Sequence, residues 1–182
     1  DAAIVPDILV MSKAIGGSLP MALLAYREEL DVWQPAGHTG TFRGNQLGMA
    51  TGLATLQQII APGFLAEVRR KGRLLESRLL ALQAASQCVG QVRGRGLMWG
   101  LEIVDSRAPA DALDSHPAWG ELARRIQHEC FARGLIIELG GRHGAVLRLL
   151  PPLIISEAEI DTLATRLQAA IHSAELALVT AL

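Results

Sequence analysis

Ile8-Leu9-Val10-Met11 is apolar at four consecutive positions, so a strand formed there has no polar side to turn toward water. Such a strand belongs in a sheet covered on both faces, which points to a buried, parallel strand of an α/β protein. The run stops at Ser12-Lys13, and Gly16-Gly17 follows at once. Leu19 to Tyr26 is a second apolar run and is expected to form the neighbouring strand. Arg27 to Leu30 reads as a short exposed turn or helix, and Gln34 to Gly40 as a Pro- and Gly-containing loop. The small and apolar residues from Asn45 to Ile60 predict a buried helix with Asn45 as its cap.

After Pro62-Gly63 the pattern changes. Phe64 to Ala85 predicts a long helix. Leu74, Leu75, Leu79 and Leu82 form its apolar stripe, and Arg69, Arg70, Lys71, Arg73 and Arg78 its wet face. Val89 to Val104 holds two strand-like pieces broken at Gly94-Arg95-Gly96. Ala118 to Arg133 reads as a helix closed by Gly134. Strands are expected at Leu135 to Leu139 and Val146 to Leu150, around a turn at Gly140-Gly141. Ser156 and Glu159 have the spacing of a capping box that starts a last helix, to about Ala174. The expected division is residues 1–60, the end of a parallel α/β domain, and residues 61–182, a smaller α+β domain with helices on a mostly antiparallel sheet.

Composition narrows the function. The chain has 182 residues, half of them hydrophobic and 19% charged, with a net charge of −1. That excludes intrinsic disorder and a basic surface built for nucleic acid. The Arg and Lys run after Phe64 has no interleaved aromatics and is read as solvated. No apolar stretch approaches the roughly 20 residues of a membrane span, and no signal-peptide pattern is present. Two cysteines, Cys88 and Cys130, give neither a disulfide framework nor a metal-binding CxxC, so a reducing, cytoplasmic setting is the expectation. The five histidines lack HxH or HExxH spacing, so no metal is expected.

Three places can carry chemistry. There are fifteen arginines but only two lysines, Lys13 and Lys71. Lys71 lies in the wet helix face. Lys13 ends an apolar strand, where ligand sites of α/β sheets gather, and a desolvated lysine there can form an imine. The alternative is a strand-end lysine reaching out to water. His38-Thr39-Gly40-Thr41-Phe42-Arg43-Gly44-Asn45 combines hydroxyls, glycines and a helix N-terminus, which together can hold a phosphate; an ordinary capped loop is the alternative. Arg148 interrupts the apolar run Val146 to Leu150. It calls for an acid or an anionic ligand such as a substrate carboxylate, or else for an exposed strand face.

Taken together, these segments resemble one family. Pro6 to Gly17 is similar to the Schiff-base lysine segment of the class III aminotransferases, fold-type I enzymes that use pyridoxal 5′-phosphate (PLP). Gly40 to Asn45 resembles their phosphate loop, and Arg93 to Gly100 the first strands of their small domain. Leu147-Arg148-Leu149-Leu150-Pro151-Pro152-Leu153 resembles the segment whose arginine binds a substrate carboxylate. Ser12 to Pro20 and Thr41 to Gln46 look most like the members that exchange an amino group between diaminobutyrate and 2-oxoglutarate. Ornithine- or 4-aminobutyrate-type members are the alternative. Many relatives have a second Gly where Arg43 stands and Pro where Gln46 stands.

The resemblance implies the C-terminal part of a PLP-dependent transferase fold. It implies Lys13 as the catalytic and cofactor-binding lysine, Thr41 as a phosphate ligand and Arg148 as the substrate-carboxylate ligand. It implies an amino donor and a 2-oxo acid as substrates, and a homodimer in which Thr41 serves the neighbouring subunit's PLP. Members of the family are roughly twice this length, and the chain opens on Asp1 rather than Met, so a fragment is the expectation. A non-catalytic truncated chain or dimerisation module is the rival reading.

Overall fold

The computed structural model describes residues 3–179. They fall into two compact units, one up to Leu65 and one from Ala66 onward.

In the first unit, β1 (Ile8–Ser12) pairs with β2 (Ala22–Tyr26) as an antiparallel two-stranded sheet, Ile8 opposite Tyr26 and Ser12 opposite Ala22. The expectation of a parallel partner is corrected for this pair. The intervening segment, residues 13–21, is too short for a parallel return, which needs a crossover of a dozen residues or more. The cover that such an apolar run calls for is not supplied within this unit. Ile8 is 56% and Val10 70% exposed, because no described element covers either strand. The helix α1 (Gln46–Ile59) forms as expected, and Asn45 Oδ1 accepts from the amides of Leu47 at 3.0 Å and Gly48 at 3.2 Å. It is not a buried helix, since only Gly48 and Gly52 of its residues are buried. Among the described residues, Ile15 is the sole buried apolar side chain of this unit.

The second unit carries the core. The helix α2 (Phe64–Ala85, its last residues of the first unit being Phe64 and Leu65) buries Leu75, Leu79 and Leu82, while Leu74 is only partly buried. Four strands follow in the sheet order β3 (Val89–Arg95), β4 (Met98–Ile103), β6 (Val146–Leu149) and β5 (Glu138–Gly140), every pair antiparallel. On β4, Trp99, Leu101 and Ile103 are buried and alternate with more exposed residues, the period of a half-buried strand. Leu101 and Leu147 pack in one core with Leu75, Ile126 of α3 (Gly120–Ala132) and Leu167 of α4 (Glu157–Val179). Gly134, at φ 71°, ends α3 in a Schellman motif. Its amide bonds the Phe131 carbonyl, and the Leu135 amide bonds that of Cys130, both at 2.9 Å. The strand expected from Leu135 therefore starts only at Glu138. The capping box is present: Ser156 N donates to Glu159 at 2.7 Å, and Glu159 N to Ser156 Oγ at 3.2 Å. The helix it starts runs past Ala174 to Val179.

Candidate active site

Lys13 sits at the junction of β1 and a 3₁₀ turn over Lys13–Gly16, with φ at 57°. A non-glycine residue in the left-handed region is strained and is held there only by its surroundings. Here the surroundings pack closely on glycine backbone. A Cβ on Gly52 of α1 would lie 2.6 Å from Met21 Sδ and 3.2 Å from the Ile15 carbonyl oxygen. A Cβ on Gly17 would lie 2.7 Å from Thr55 Oγ1. The turn is thus seated on α1 through glycines. Lys13 itself is exposed, so the desolvation expected of a strand-end lysine is not supplied by this unit.

Thr41 lies in the turn leading into α1, where the Arg43 amide bonds the Gly40 carbonyl at 3.0 Å and the Arg43 guanidinium donates to the His38 carbonyl. The Thr41 hydroxyl has no hydrogen-bond partner among the described residues. The helix N-terminus is less available than its sequence implied. Asn45 already takes the Leu47 and Gly48 amides, so a phosphate would rely on the Thr41 hydroxyl and the loop backbone. Lys13 and Thr41 thus belong to two loops hung on the same helix. Beside them is an open concavity of about 1100 Å³ lined by Ser12, Met21, Tyr26, Trp33 and Asn45, among others, but by neither Lys13 nor Thr41. In its wall Tyr26 donates to Asp31 Oδ1 at 3.0 Å, and that bond pushes the phenol pKa up. Trp33 stacks on His38 with ring centroids 5.3 Å apart. Of these four residues only His38, which opens the candidate phosphate segment, stood out in the sequence.

Arg148 belongs to the second unit. It is on the face of β6 opposite the core, between buried Leu147 and Leu149. Its side chain is 46% exposed, and Nη1 lies 3.2 Å from Glu138 Oε2, its ion-pair partner among the described residues. The structure therefore combines an exposed strand face and an ion pair. Glu138 was missed by motif reading. Its signal is the hairpin register, in which Glu138 and Arg148 are equally distant from His143. The two cysteines do not contribute a nucleophile, because burial raises Cys88 to about 12 and Cys130 to about 11.

The chain belongs to the class III aminotransferases, whose family model matches residues 1–171. A diaminobutyrate–2-oxoglutarate aminotransferase of Rhizobium meliloti is 52% identical over 93% of this chain, and one of Haemophilus influenzae 48% identical over 95%. The chain spans only 36% and 38% of the length of these two relatives. Among solved structures, a phospholyase from Arthrobacter in complex with phosphoethanolamine matches with a TM-score of 0.81 at 28% identity, over 94% of this chain and 40% of its own. An acetylornithine aminotransferase from Elizabethkingia anophelis matches at 0.77 and 26% identity, over the same shares. The fold is accordingly part of the PLP-dependent transferase fold. Among the described residues no helix is long and apolar enough to cross a membrane.

Proposed function

We propose that this chain carries the lysine, a phosphate-binding loop and the carboxylate-binding arginine of a PLP-dependent aminotransferase, acting as part of a polypeptide of its relatives' length. The reaction is L-2,4-diaminobutanoate plus 2-oxoglutarate giving aspartate 4-semialdehyde plus glutamate, or its reverse. The observation that carries the reading is the strained, exposed Lys13 seated on the helix that also carries the Thr41 loop. The substrates follow from the names of the relatives at 52% and 48% identity.

The residues present fit the cofactor: Lys13 offers a primary amine for its aldehyde, and Thr41 an unengaged hydroxyl for its phosphate. When bound, PLP withdraws electrons from the substrate carbon that bears the transferred amine. Lys13 would hold the cofactor through its amine and, as general base and acid, would move a proton at the substrate carbon. Thr41 would donate its hydroxyl to a phosphate oxygen, in a homodimer that of the neighbouring subunit. Arg148 pairs with a substrate carboxylate, its planar fork fixing the approach.

The test is an amino-donor screen of the full-length enzyme with glutamate formation as readout. L-2,4-Diaminobutanoate is expected to outpace ornithine and 4-aminobutanoate. A faster reaction with either of those would reassign the substrate, and no glutamate from any donor would leave a non-catalytic protein.

A further inference from the structure

We infer that Arg43 is a positioning residue, which fastens the loop that presents Thr41 to a phosphate; this rests on the proposed function and deepens it.

The loop spans two fixed points. His38 stacks on Trp33 with the ring planes 28° apart, and Asn45 is tied to the first turn of α1. Apolar packing within this unit does not hold the stretch between them. Phe42 is 87% exposed, and a Cβ added at Gly40 or Gly44 would meet nothing within 4 Å. These two glycines also leave the backbone free to turn. The bonds that remain converge on Arg43. Its guanidinium donates to the His38 carbonyl, and its amide to the Gly40 carbonyl at 3.0 Å. No other hydrogen bond among the described residues engages residues 39–42.

This arrangement bears on Thr41. In a planar trans peptide the carbonyl oxygen and the following N–H point in opposite directions. With the Gly40 carbonyl turned to Arg43, the Thr41 amide is turned away from it. Neither that amide nor the Thr41 hydroxyl has a partner among the described residues. Thr41 therefore keeps its donors for a ligand, while Arg43 is engaged by carbonyls of the loop itself. Without the guanidinium the His38 carbonyl is released, and only the short turn from Gly40 to Arg43 is left to order the loop. Arg43 thus acts on the phosphate through the loop.

The experiment uses the full-length enzyme and the variant Arg43→Met, which keeps an unbranched side chain and removes the donors. The first readout needs no turnover: the hydrogen-exchange protection factor of the amide at position 43. It is expected to fall roughly threefold to tenfold, the effect of one ordinary hydrogen bond, while the Met49 amide inside α1 stays protected. The second readout is affinity for PLP against pyridoxal, which has the same aldehyde but no phosphate. PLP should bind roughly threefold to tenfold more weakly, and pyridoxal as before. Arg43→Lys keeps a donor for the His38 carbonyl and should recover part of both losses. In Arg43→Met combined with Thr41→Ala, the PLP loss should be smaller than the product of the two single losses, because one residue acts through the other. Unchanged protection at position 43 would overturn the inference. So would weaker PLP binding with protection intact, since Arg43 would then act on the phosphate as a plain charge. If Thr41→Ala leaves PLP affinity unchanged, the proposed function loses its phosphate ligand, and protection at position 43 alone decides whether Arg43 orders the loop.

Discussion

Substituting Gly17 by Ala tests whether the Lys13 turn is held by backbone contacts. Gly17 has φ 64° and ψ −109°, and its amide closes the turn onto the Ala14 carbonyl at 3.1 Å. A side chain in so sparse a backbone region costs about 1–3 kcal/mol. The new methyl would also lie 2.7 Å from Thr55 Oγ1. That hydroxyl cannot swing away freely, because it donates to the Thr51 carbonyl at 2.9 Å. Overpacking of this sort costs about another 1–3 kcal/mol. Against both stands the lost freedom of the unfolded chain, about 0.4–1 kcal/mol in favour of Ala. The two penalties win, and a net loss of roughly 1–5 kcal/mol is expected. Hydrogen exchange of the Leu19 amide, which bonds the Gly16 carbonyl, reads this as local opening in the full-length enzyme, with PLP retention as a second readout. Thr55→Ala removes the clash but not the strain, so the double variant should recover about 1–3 kcal/mol and no more. Gly44→Ala, at φ 74° with nothing within 4 Å of the added Cβ, should pay the strain alone. If Gly17→Ala leaves exchange and PLP retention unchanged, the turn is not held as described.

Lys13→Ala should abolish the visible absorbance of bound PLP and the borohydride-reducible link; a remaining covalent adduct would move the role to Lys71. Thr41→Ala removes one hydroxyl bond to a charged group, about 1.5–3 kcal/mol, and should weaken PLP binding roughly tenfold to a hundredfold. That loss should worsen on dilution if the loop is shared across a dimer. The Ser156 amide and hydroxyl hold the Glu159 carboxyl below its ordinary 4.5. A depressed folded-state pKa gives stability that is complete above about pH 4.5 and fades as pH falls through the lowered value, and Glu159→Gln should flatten this acid limb in a pH series of melting temperatures. Residues 66–182 expressed alone should melt cooperatively, while residues 1–65 alone should be cleaved rapidly by a protease; equal resistance of the two would contradict the burial pattern.

The elements whose start and stop are written in local chemistry were legible in the sequence. The 22 residues of α2 begin after Pro62-Gly63 and carry an uninterrupted leucine stripe, and the Ser156–Glu159 box marks the start of α4. Where partners decide, the reading failed. The Leu135 to Ile137 run looks like a strand by its apolar residues. In the fold, the Leu135 amide serves the end of α3, and the Ile137 carbonyl accepts from Gln127 at 2.9 Å. The pairing of β1 was misjudged because an apolar run states that it wants cover, not which strand lies beside it. Among the site residues, Lys13, Thr41 and Arg148 stood out by composition and motif. Glu138 did not, because an exposed glutamate gains meaning only from the strand register that sets it against Arg148.

The same contrast explains how the chain divides its labour. The second unit places leucines and isoleucines in one core and leaves the outer face of its sheet free, so Arg148 and Glu138 stand on a platform whose rigidity comes from beneath them. The first unit buries only Ile15 among its apolar side chains, yet it holds a strained lysine. Burial of apolar side chains within that unit is too sparse to maintain such strain. What remains is the close packing of glycine backbone against the Met21 side chain at Gly16 and Gly52 and against Thr55 of α1 at Gly17, where an added Cβ would come within 2.6–2.8 Å of a side-chain atom. Glycine, ordinarily a source of freedom, acts here as the means of contact: without a Cβ the turn and α1 approach closely enough to constrain each other. The position of Lys13 is therefore expected to be more sensitive to one added methyl at these three glycines than to truncation of the exposed apolar side chains of β1, whose burial this unit does not provide.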